Sequence, residues 1–349
     1  LTLHAALAAA ITPPVPEAPD IDARAYILLD YQSGEVITAR EPDLQVEPAS
    51  LTKMMTIYAV AHEIAEGRIG RDDEVLVSET AWRMSGSRMF IEVGDRVSVD
   101  ELMHGDIIQS GNDASVALAE YVSGSEDVFA ALMNQHAHRL GLTGTHYVNS
   151  TGLPAPEHYT TARDVATLGT ALIRDFPDVY ALFSRREYTY NGIEQSNRNR
   201  LLWRDETADG IKTGFTESAG YCLAASAVRD GRRLVAVVVG ASSAKSRVDG
   251  AATLLNFGFR FYETRKVFEA AQTVTSVPVF KGVTDTLAVG LDDTLYVTVP
   301  RGRYGDIDAS MDLETPLVAP VSQGQQLGTL NLTLDGRPVA SRPLRSLQA

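Results

Sequence analysis

The sequence predicts an α+β fold: an antiparallel sheet covered by helices, followed by a small all-β domain. Two observations predict the first part, because short β-type runs stand at both of its ends and a largely helical stretch lies between them. A third predicts the second part, since beyond about Glu263 only short β-type runs separated by Gly, Asp and Pro remain. The predicted divisions are an N-terminal extension over 1–20, a first domain over 21–263 and a β-rich domain over 264–349.

Composition narrows the class of protein. The 349 residues suffice for two domains, and 44% hydrophobic with 22% charged residues is typical of a globular chain. A formal net charge of -14 disfavours a broad nucleic-acid surface, which needs clustered Lys and Arg. The single cysteine, Cys222, excludes an intrachain disulfide and a cysteine-based zinc site.

The N-terminal stretch 1–11 is apolar, but it is short for a membrane span and lacks the basic leader of a full secretory signal. Pro13, Pro14, Pro16 and Pro19 predict a stiff, non-helical approach to the first domain. Since no run of ~18 apolar residues occurs, we expect no segment of this chain to span a bilayer.

The first elements are a hairpin and a helix. Runs at 25–29 and 35–38 predict two strands joined by a turn. A helix is predicted from Ser50 to about Glu66, ended by Gly67. Because its apolar positions cover more than one face, we expect it in the middle of a domain.

A helical stretch and then strands follow. Ser98 and Glu101 form a capping-box pattern that predicts a helix through about Ile108. Asn191-Gly192 predicts a two-residue hairpin. The other predicted helices cover 114–121, 126–140, 161–175 and 246–262, and the other predicted strands cover 211–214, 220–228, 234–239, 274–280, 295–299, 309–313 and 327–334.

Ser50 and Lys53 form the first candidate for catalysis. A serine hydroxyl is a poor nucleophile unless a base lies within hydrogen-bond reach, and Lys53 lies one helical turn away. The lysine can act as that base only if burial or positive charge lowers its pKa. The alternative is that Ser50 begins a core helix and Lys53 is a solvated charge, because Ser-x-x-Lys alone is a weak signal.

Two further triplets strengthen this candidate. Ser110-Gly111-Asn112 stands at a predicted helix end, and Lys212-Thr213-Gly214 stands on a predicted strand. Each triplet alone is weak. Together with Ser50-x-x-Lys53, in this order, they form the motif set of class A β-lactamases and penicillin-binding proteins.

On these motifs the chain resembles the low-molecular-weight penicillin-binding proteins, the D-alanyl-D-alanine carboxypeptidases of serine peptidase family S11. The resemblance implies a β-lactamase/transpeptidase-like first domain and extends from about Asp20 through the β-rich end. The matching stretches are 26–30, 48–56, 109–114, 161–164, 197–199, 201–203, 209–214, 257–262 and 299–303.

The resemblance implies a role for each motif residue in acyl transfer. Ser50 would attack the carbonyl of the terminal D-Ala-D-Ala bond, and Lys53 would take its proton. Ser110 would pass a proton to the departing D-alanine, while Asn112 would orient Lys53 and the substrate amide. The backbone N–H groups of Ser50 and Phe215 would form the oxyanion hole.

It also implies how the substrate is held. Lys212 and Thr213 would bind the free carboxylate of the substrate. Gly214 would allow close approach of the backbone, because any Cβ there would obstruct the substrate. Arg198 matches a position near that carboxylate. No metal ion and no other cofactor is implied.

Partners and location follow from the same resemblance. We expect peptidoglycan stem peptides ending in D-Ala-D-Ala as substrates, β-lactams as covalent inhibitors, and no nucleic acid. The expected location is the periplasm, on the outer face of the inner membrane. Family members usually end in an amphipathic helix on the membrane, so we expect peripheral attachment through a segment beyond Ala349. Phe215 departs from the histidine found in a related enzyme, and the stretch before Ser87 is shorter.

Two other functions stay open at this point. A β-lactamase of class A needs a glutamate for deacylation, and Glu157, the only one between Asn149 and Arg163, lacks the local pattern of that role. A non-catalytic peptidoglycan-binding protein predicts loss of the motif residues, which are all present. His136 and His138 are disfavoured as a metal pair, because helix residues two apart do not face each other.

Overall fold

The computed structural model describes residues 15–349, which fall into two compact units. The larger unit contains 19–31 and 36–256, and of the described residues the smaller contains 15–18, 32–35 and 257–349. The apolar stretch 1–11, together with Pro13 and Pro14, lies outside the described residues. Within 15–349, no helix combines the length and the apolar character needed to cross a membrane.

An antiparallel sheet forms the middle of the larger unit. Its five strands have the order β2-β1-β9-β8-β7, so β7 is an edge strand. Two further pairs of strands, β3-β4 and the hairpin β5-β6, lie outside this sheet. The strands of the larger unit are β1 (Ala25–Asp30), β2 (Val36–Arg40), β3 (Glu74–Leu76), β4 (Arg96–Ser98), β5 (Glu187–Tyr190), β6 (Ile193–Ser196), β7 (Ala208–Thr216), β8 (Gly220–Arg229) and β9 (Arg232–Ala241).

Helices surround this sheet, and one of them is central. Every residue of α1 from Lys53 to Ala61 is buried, as the spread of its apolar positions predicts. The helices are α1 (Lys53–Ala65), α2 (Glu79–Trp82), α3 (Val99–His104), α4 (Asn112–Ser123), α5 (Glu126–Arg139), α6 (Ala162–Asp175), α7 (Pro177–Tyr180), α8 (Leu201–Arg204) and α9 (Ala244–Phe261).

Local sequence signals mark the element ends correctly. Gly67 has φ 68 and ends the first helix, with its N–H bonded to the Ile64 carbonyl at 3.0 Å. The capping box of Ser98 and Glu101 is present. Tyr190 pairs with Ile193 across Asn191-Gly192, which confirms the hairpin.

The structure differs from the predictions at both serine motifs. Ser50 lies in a 3₁₀ turn, Ala49–Thr52, and the α-helix begins only at Lys53. The helix predicted through Ile108 ends at His104 and continues as a π turn, Gly105–Gln109, whose Gly105 carbonyl accepts from the Gly111 N–H at 3.0 Å. Hydrophobic periodicity does not distinguish these tighter and wider turns from an α-helix.

The smaller unit is built from strands. A six-stranded sheet has the order β14-β16-β17-β12-β11-β15, and β10 pairs with β13. Buried Leu and Val side chains such as Val289, Leu327 and Leu344 form its core. The predicted fold class is therefore confirmed. These strands are β10 (Tyr262–Phe268), β11 (Thr273–Phe280), β12 (Thr286–Gly290), β13 (Leu295–Pro300), β14 (Ile307–Leu313), β15 (Leu317–Val318), β16 (Gln326–Leu334) and β17 (Arg337–Ser346).

Candidate active site

Two glycines allow the turn that carries Ser50 to pack closely. A Cβ on Gly152 would lie 1.8 Å from the Ala49 carbonyl oxygen, closer than any side chain permits. A Cβ on Gly214 would lie 3.3 Å from the Ser50 nitrogen. Gly152 also has φ +85, a conformation that glycine adopts without strain. The loop around Gly152 and the edge strand β7 can therefore both approach Ser50.

The Lys53 amine lies beside three oxygen atoms. Its Nζ atom donates to Asn112 Oδ1 at 2.7 Å and to the Thr151 carbonyl at 2.6 Å, and Ser50 Oγ is 3.4 Å away. A neutral amine has two N–H donors and one lone pair. If the two short contacts use both donors, the lone pair is left for the Ser50 hydroxyl proton. The geometry is that of a nucleophile beside its base.

Burial makes the neutral form of Lys53 accessible. The side chain is fully buried, and desolvation lowers its pKa from 10.5 to about 8, against the opposing effect of three carboxylates. At pH 7 this shift enlarges the neutral fraction roughly 300-fold over that of a solvated lysine. The carboxylates that favour the charged form are Asp106, Asp113 and Glu126.

Asn112 is fixed at both ends of its amide. It is the first residue of α4 and is 5% exposed. Its Nδ2 atom donates to the Ser85 carbonyl at 2.6 Å, which leaves Oδ1 as the acceptor for Lys53. The amide therefore orients the lysine.

Ser110 and Lys212 form the second polar contact of the site. Ser110 follows the π turn with φ 64 and ψ 39, an unusual conformation for a non-glycine residue. Its Oγ atom accepts from Lys212 Nζ at 2.8 Å. Lys212 is 2% exposed, and both burial and the charge of Lys53 lower its pKa well below the usual range. Thr213, the next residue of β7, is also buried.

The remaining predicted residues border these two groups. Phe215 is 44% exposed, with its ring centroid 4.3 Å from that of Tyr221. The Gly214 carbonyl accepts from Arg247 Nη1 at 2.9 Å. Arg198 is exposed and lies outside both hydrogen-bonded groups, although its charge acts on Lys212. The structure thus joins Ser50, Lys53 and Asn112 in one group and Ser110 with Lys212 in another.

The loop from Asn149 to Gly152 is a part of the site that the sequence did not reveal. Asn149 Oδ1 accepts from the Gly152 N–H at 2.7 Å, and Ser150 Oγ donates to Glu126 Oε1 at 2.6 Å. These bonds place the Thr151 carbonyl against Lys53. The Asn-Ser-Thr-Gly composition predicts a turn, but a backbone carbonyl leaves no signal of its contact.

One group of described side chains has the types that bind metal ions. His62, Glu63 and His136 offer ligand atoms that all lie within 4.8 Å of one another. Arg68, however, donates to both oxygens of Glu63, and Arg139 donates to His136 Nδ1 at 2.8 Å. An ion would have to displace both guanidinium groups. His138, which the sequence analysis disfavours as a second ligand beside His136, is exposed and outside this group.

Known protein families match nearly the whole sequence of this chain. The family model of D-alanyl-D-alanine carboxypeptidase, peptidase S11, matches residues 12–243, and that of the penicillin-binding protein 5 C-terminal domain matches 262–349. D-alanyl-D-alanine carboxypeptidase DacA of Escherichia coli K12 is 43% identical over 342 residues, which are 96% of this chain and 85% of that protein. DacC of the same strain is 44% identical over 336 residues, or 94% and 84%.

A solved structure is similar to this protein in fold as well as in sequence. Penicillin-binding protein 5 from Haemophilus influenzae superposes with a TM-score of 0.93 at 39% identity, covering 95% of this chain and 98% of that chain. Sheet, helices and β-rich unit together define a serine hydrolase of the penicillin-binding class. The chain belongs to the peptidase S11 family, the D-alanyl-D-alanine carboxypeptidases. The family expectation from the sequence is confirmed.

Proposed function

We propose that this protein removes the terminal D-alanine from peptidoglycan pentapeptide stems through an acyl-ester on Ser50, and that β-lactams acylate the same hydroxyl. The observation that carries the proposal is the hydrogen bonding of Lys53. The two shortest contacts of its amine are to acceptors, Asn112 Oδ1 and the Thr151 carbonyl. These use both N–H groups of a neutral amine and leave its lone pair for the hydroxyl of Ser50.

Acylation begins with attack of Ser50 Oγ on the carbonyl carbon of the D-Ala-D-Ala peptide bond. The hydroxyl proton passes to Lys53 as the new C–O bond forms. The carbonyl oxygen gains negative charge, which the backbone N–H groups of Ser50 and Phe215 stabilise. Removing one such donor typically costs about 2.7 to 4 kcal/mol of barrier.

The leaving group then departs as D-alanine. Its nitrogen takes a proton from the Ser110 hydroxyl, which is bonded to Lys212, as the C–N bond breaks. The proton that Lys53 gained from Ser50 replaces it on Ser110, so that Lys53 is neutral again. Water next attacks the ester carbonyl and gives a proton to the neutral Lys53. That proton passes to Ser50 Oγ as the ester C–O bond breaks, which regenerates the hydroxyl. Asn112 orients Lys53 through both half-reactions.

The free carboxylate of the substrate supplies binding energy and orientation. Lys212 and Thr213 bind it, a cation beside a hydroxyl on the edge strand β7. Arg198 adds positive charge at the entrance, since it is exposed. Gly214 lets the substrate backbone approach, because a Cβ there would already be within 3.3 Å of the Ser50 nitrogen.

The organisation of the chain supports this role. We place the catalytic domain over 21–263 and the β-rich domain over 264–349, with an N-terminal extension over 1–20; the family matches at 12–243 and 262–349 support this division. The protein works in the periplasm and associates peripherally with the outer face of the inner membrane. The resemblance to the carboxypeptidases supports both locations.

Two rates measured on the same protein test the proposal. D-alanine release from a peptide ending in Lys-D-Ala-D-Ala is compared with turnover of a penicillin. We expect steady D-alanine release, slow penicillin turnover, and no covalent labelling by fluorescent penicillin after Ser50→Ala. Fast penicillin turnover without D-alanine release identifies a β-lactamase, and absence of both identifies a non-catalytic peptidoglycan-binding protein.

A further inference from the structure

Asp106 is a buried acid that the proposed reaction does not use. It is the second residue of the π turn that leads into Ser110, and its side chain is 0% exposed. Its Oδ1 atom is hydrogen-bonded to the Ser115 hydroxyl. Its Oδ2 atom has no hydrogen-bond partner among residues 15–349. A buried carboxylate with an unpaired oxygen is costly unless nearby charge compensates it.

The compensating charges are the two lysines of the site. Lys53 of α1 and Lys212 of β7 favour the ionised form of Asp106, whereas Asp113 of α4 opposes it. Burial has the largest effect and raises the pKa of Asp106 to about 6. In return, Asp106 favours the protonated forms of Lys53 and Lys212.

Asp113 does not play the same part, although it is also buried. Its two oxygens accept hydrogen bonds from the backbone N–H groups of Met89 and Phe90, both at 2.9 Å. These bonds hold its charge in place independently of the lysines. The other charged or titratable groups around the two lysines and the π turn are Glu126, Arg198, Arg247, His104 and Tyr188.

The hydrogen bonds of Ser115 suit both protonation states of Asp106. Ser115 Oγ lies beside Asp106 Oδ1 and also 2.9 Å from the Gly111 carbonyl oxygen. With Asp106 ionised, the single hydroxyl proton of Ser115 points to the carboxylate. With Asp106 protonated, Asp106 donates to Ser115, which then donates to Gly111. No side chain has to move between the two states.

We propose that Asp106 is a positioning residue that holds one negative charge behind Ser110 and thereby keeps one proton on the Lys53 and Lys212 pair. Two buried amines, with the charge of Lys53 disfavouring a charge on Lys212, would otherwise both tend to the neutral form. The proposed reaction needs one neutral amine to accept the Ser50 proton and one cation to bind the substrate carboxylate. The single negative charge of the Asp106 carboxylate balances the single positive charge of one protonated lysine. The inference rests on the proposed function.

The test is the pH profile of acylation. Asp106→Asn removes the charge and keeps the shape, and the rate constant of labelling by fluorescent penicillin is measured from pH 5 to pH 10. Loss of the carboxylate makes both amines easier to deprotonate. We therefore expect both limbs of the profile to move to lower pH by about one unit.

Asp164→Asn is the matched control. Asp164 is also a buried acid, 5% exposed, but its Oδ2 atom accepts from the Gly144 N–H at 2.8 Å, and it does not act on either lysine. Asp164→Asn should change the stability of the protein without moving the acidic or the basic limb of the pH profile of acylation. If Asp106→Asn merely scales the rate by one factor at every pH, the residue is only structural and the inference is overturned.

A second variant protects the test against misfolding. Ser115→Ala removes the donor to Asp106 but keeps the acid, so the carboxylate is less stable and the limbs should move in the same direction by a smaller amount. A Ser115→Ala profile that superposes on the wild type overturns the inference as well. Failure of the proposed function is distinct, because the wild type would then show no D-alanine release and no labelling dependent on Ser50.

Discussion

Lys53 Nζ donates to Asn112 Oδ1 at 2.7 Å, although 59 positions separate the two residues. The contact joins the first residue of α1 to the first residue of α4. Because Asn112 is held from its other end by the Ser85 carbonyl, the lysine is oriented by a group that cannot turn freely.

The first prediction concerns the pH dependence of acylation. Burial lowers the pKa of Lys53 to about 8, and the base acts only when neutral. Below pH 8 we expect the acylation rate to fall about tenfold per pH unit, because each unit reduces the neutral fraction tenfold. Labelling by fluorescent penicillin between pH 5.5 and 9 measures this slope. A flat profile over that range contradicts Lys53 as the base.

The second prediction concerns Lys212. Lys212→Gln removes the cation that we propose to bind the substrate carboxylate, so kcat/KM for a D-Ala-D-Ala peptide should fall about tenfold to 100-fold. The same peptide with an amidated end, already a poor substrate, should lose far less. Lys245→Gln is the control, since the Lys245 side chain is 85% exposed. Equal losses for both peptides would rule out recognition of the carboxylate by Lys212.

The third prediction concerns Gly152. In Gly152→Ala the new methyl group would lie 1.8 Å from the Ala49 carbonyl, so the turn that carries Ser50 must shift. We expect a free energy of unfolding several kcal/mol lower and strongly reduced acylation. Gly192→Ala is the matched control, because Gly192 has a similar backbone conformation, φ +76, but open space where the methyl group would lie. It should cost only about 1 to 2 kcal/mol and leave acylation intact. Urea unfolding and penicillin labelling check both, and equal effects contradict the steric account.

The fourth prediction concerns stability in acid. His158 is buried, its Nδ1 atom accepts from the Val148 N–H at 2.9 Å, and desolvation lowers its pKa to about 4. The unfolded chain binds a proton at this residue near pH 6.5, whereas the folded chain does not until about pH 4. Stability therefore decreases as pH falls through this window, by about 3 kcal/mol for the residue.

The measurement is the free energy of unfolding in urea at pH 7, 5.5 and 4.5. His158→Gln should remove the part of this pH dependence that His158 contributes, because glutamine does not titrate. His136, whose pKa burial also lowers to about 4, keeps its own part. His138→Gln, at an exposed position, should not change it. A slope that is the same in wild type and His158→Gln would show that another group controls acid stability.

Prediction from the sequence succeeded where the signal is local. Gly67, the capping box of Ser98 and the Asn191-Gly192 turn each determine the backbone within a few residues. The motif order also indicated which side chains belong to one site. Strand order was beyond such signals, because in the five-stranded sheet β1 pairs with β9, which lies at the far end of the same domain's sequence.

The limits of prediction at the site have a physical cause. The Thr151 carbonyl contacts Lys53 through the backbone, which every residue possesses. In the sequence, Asp106 is one polar residue near a predicted helix end. Its burial follows from tertiary packing and is visible only in the structure. The 3₁₀ turn at Ser50 likewise depends on its contact with Gly152, 102 residues later. These features arise from tertiary contacts and leave no pattern along the chain.

Burial of Lys53 lowers the stability of the folded chain and, at the same position, favours the neutral amine that the proposed reaction needs. A pKa lowered from 10.5 to about 8 means that the folded chain disfavours the charged lysine by about 3 kcal/mol relative to the unfolded chain. An apolar side chain of similar length would relieve that cost and end the reaction. Stability alone would therefore favour another residue than a buried lysine at the first position of α1.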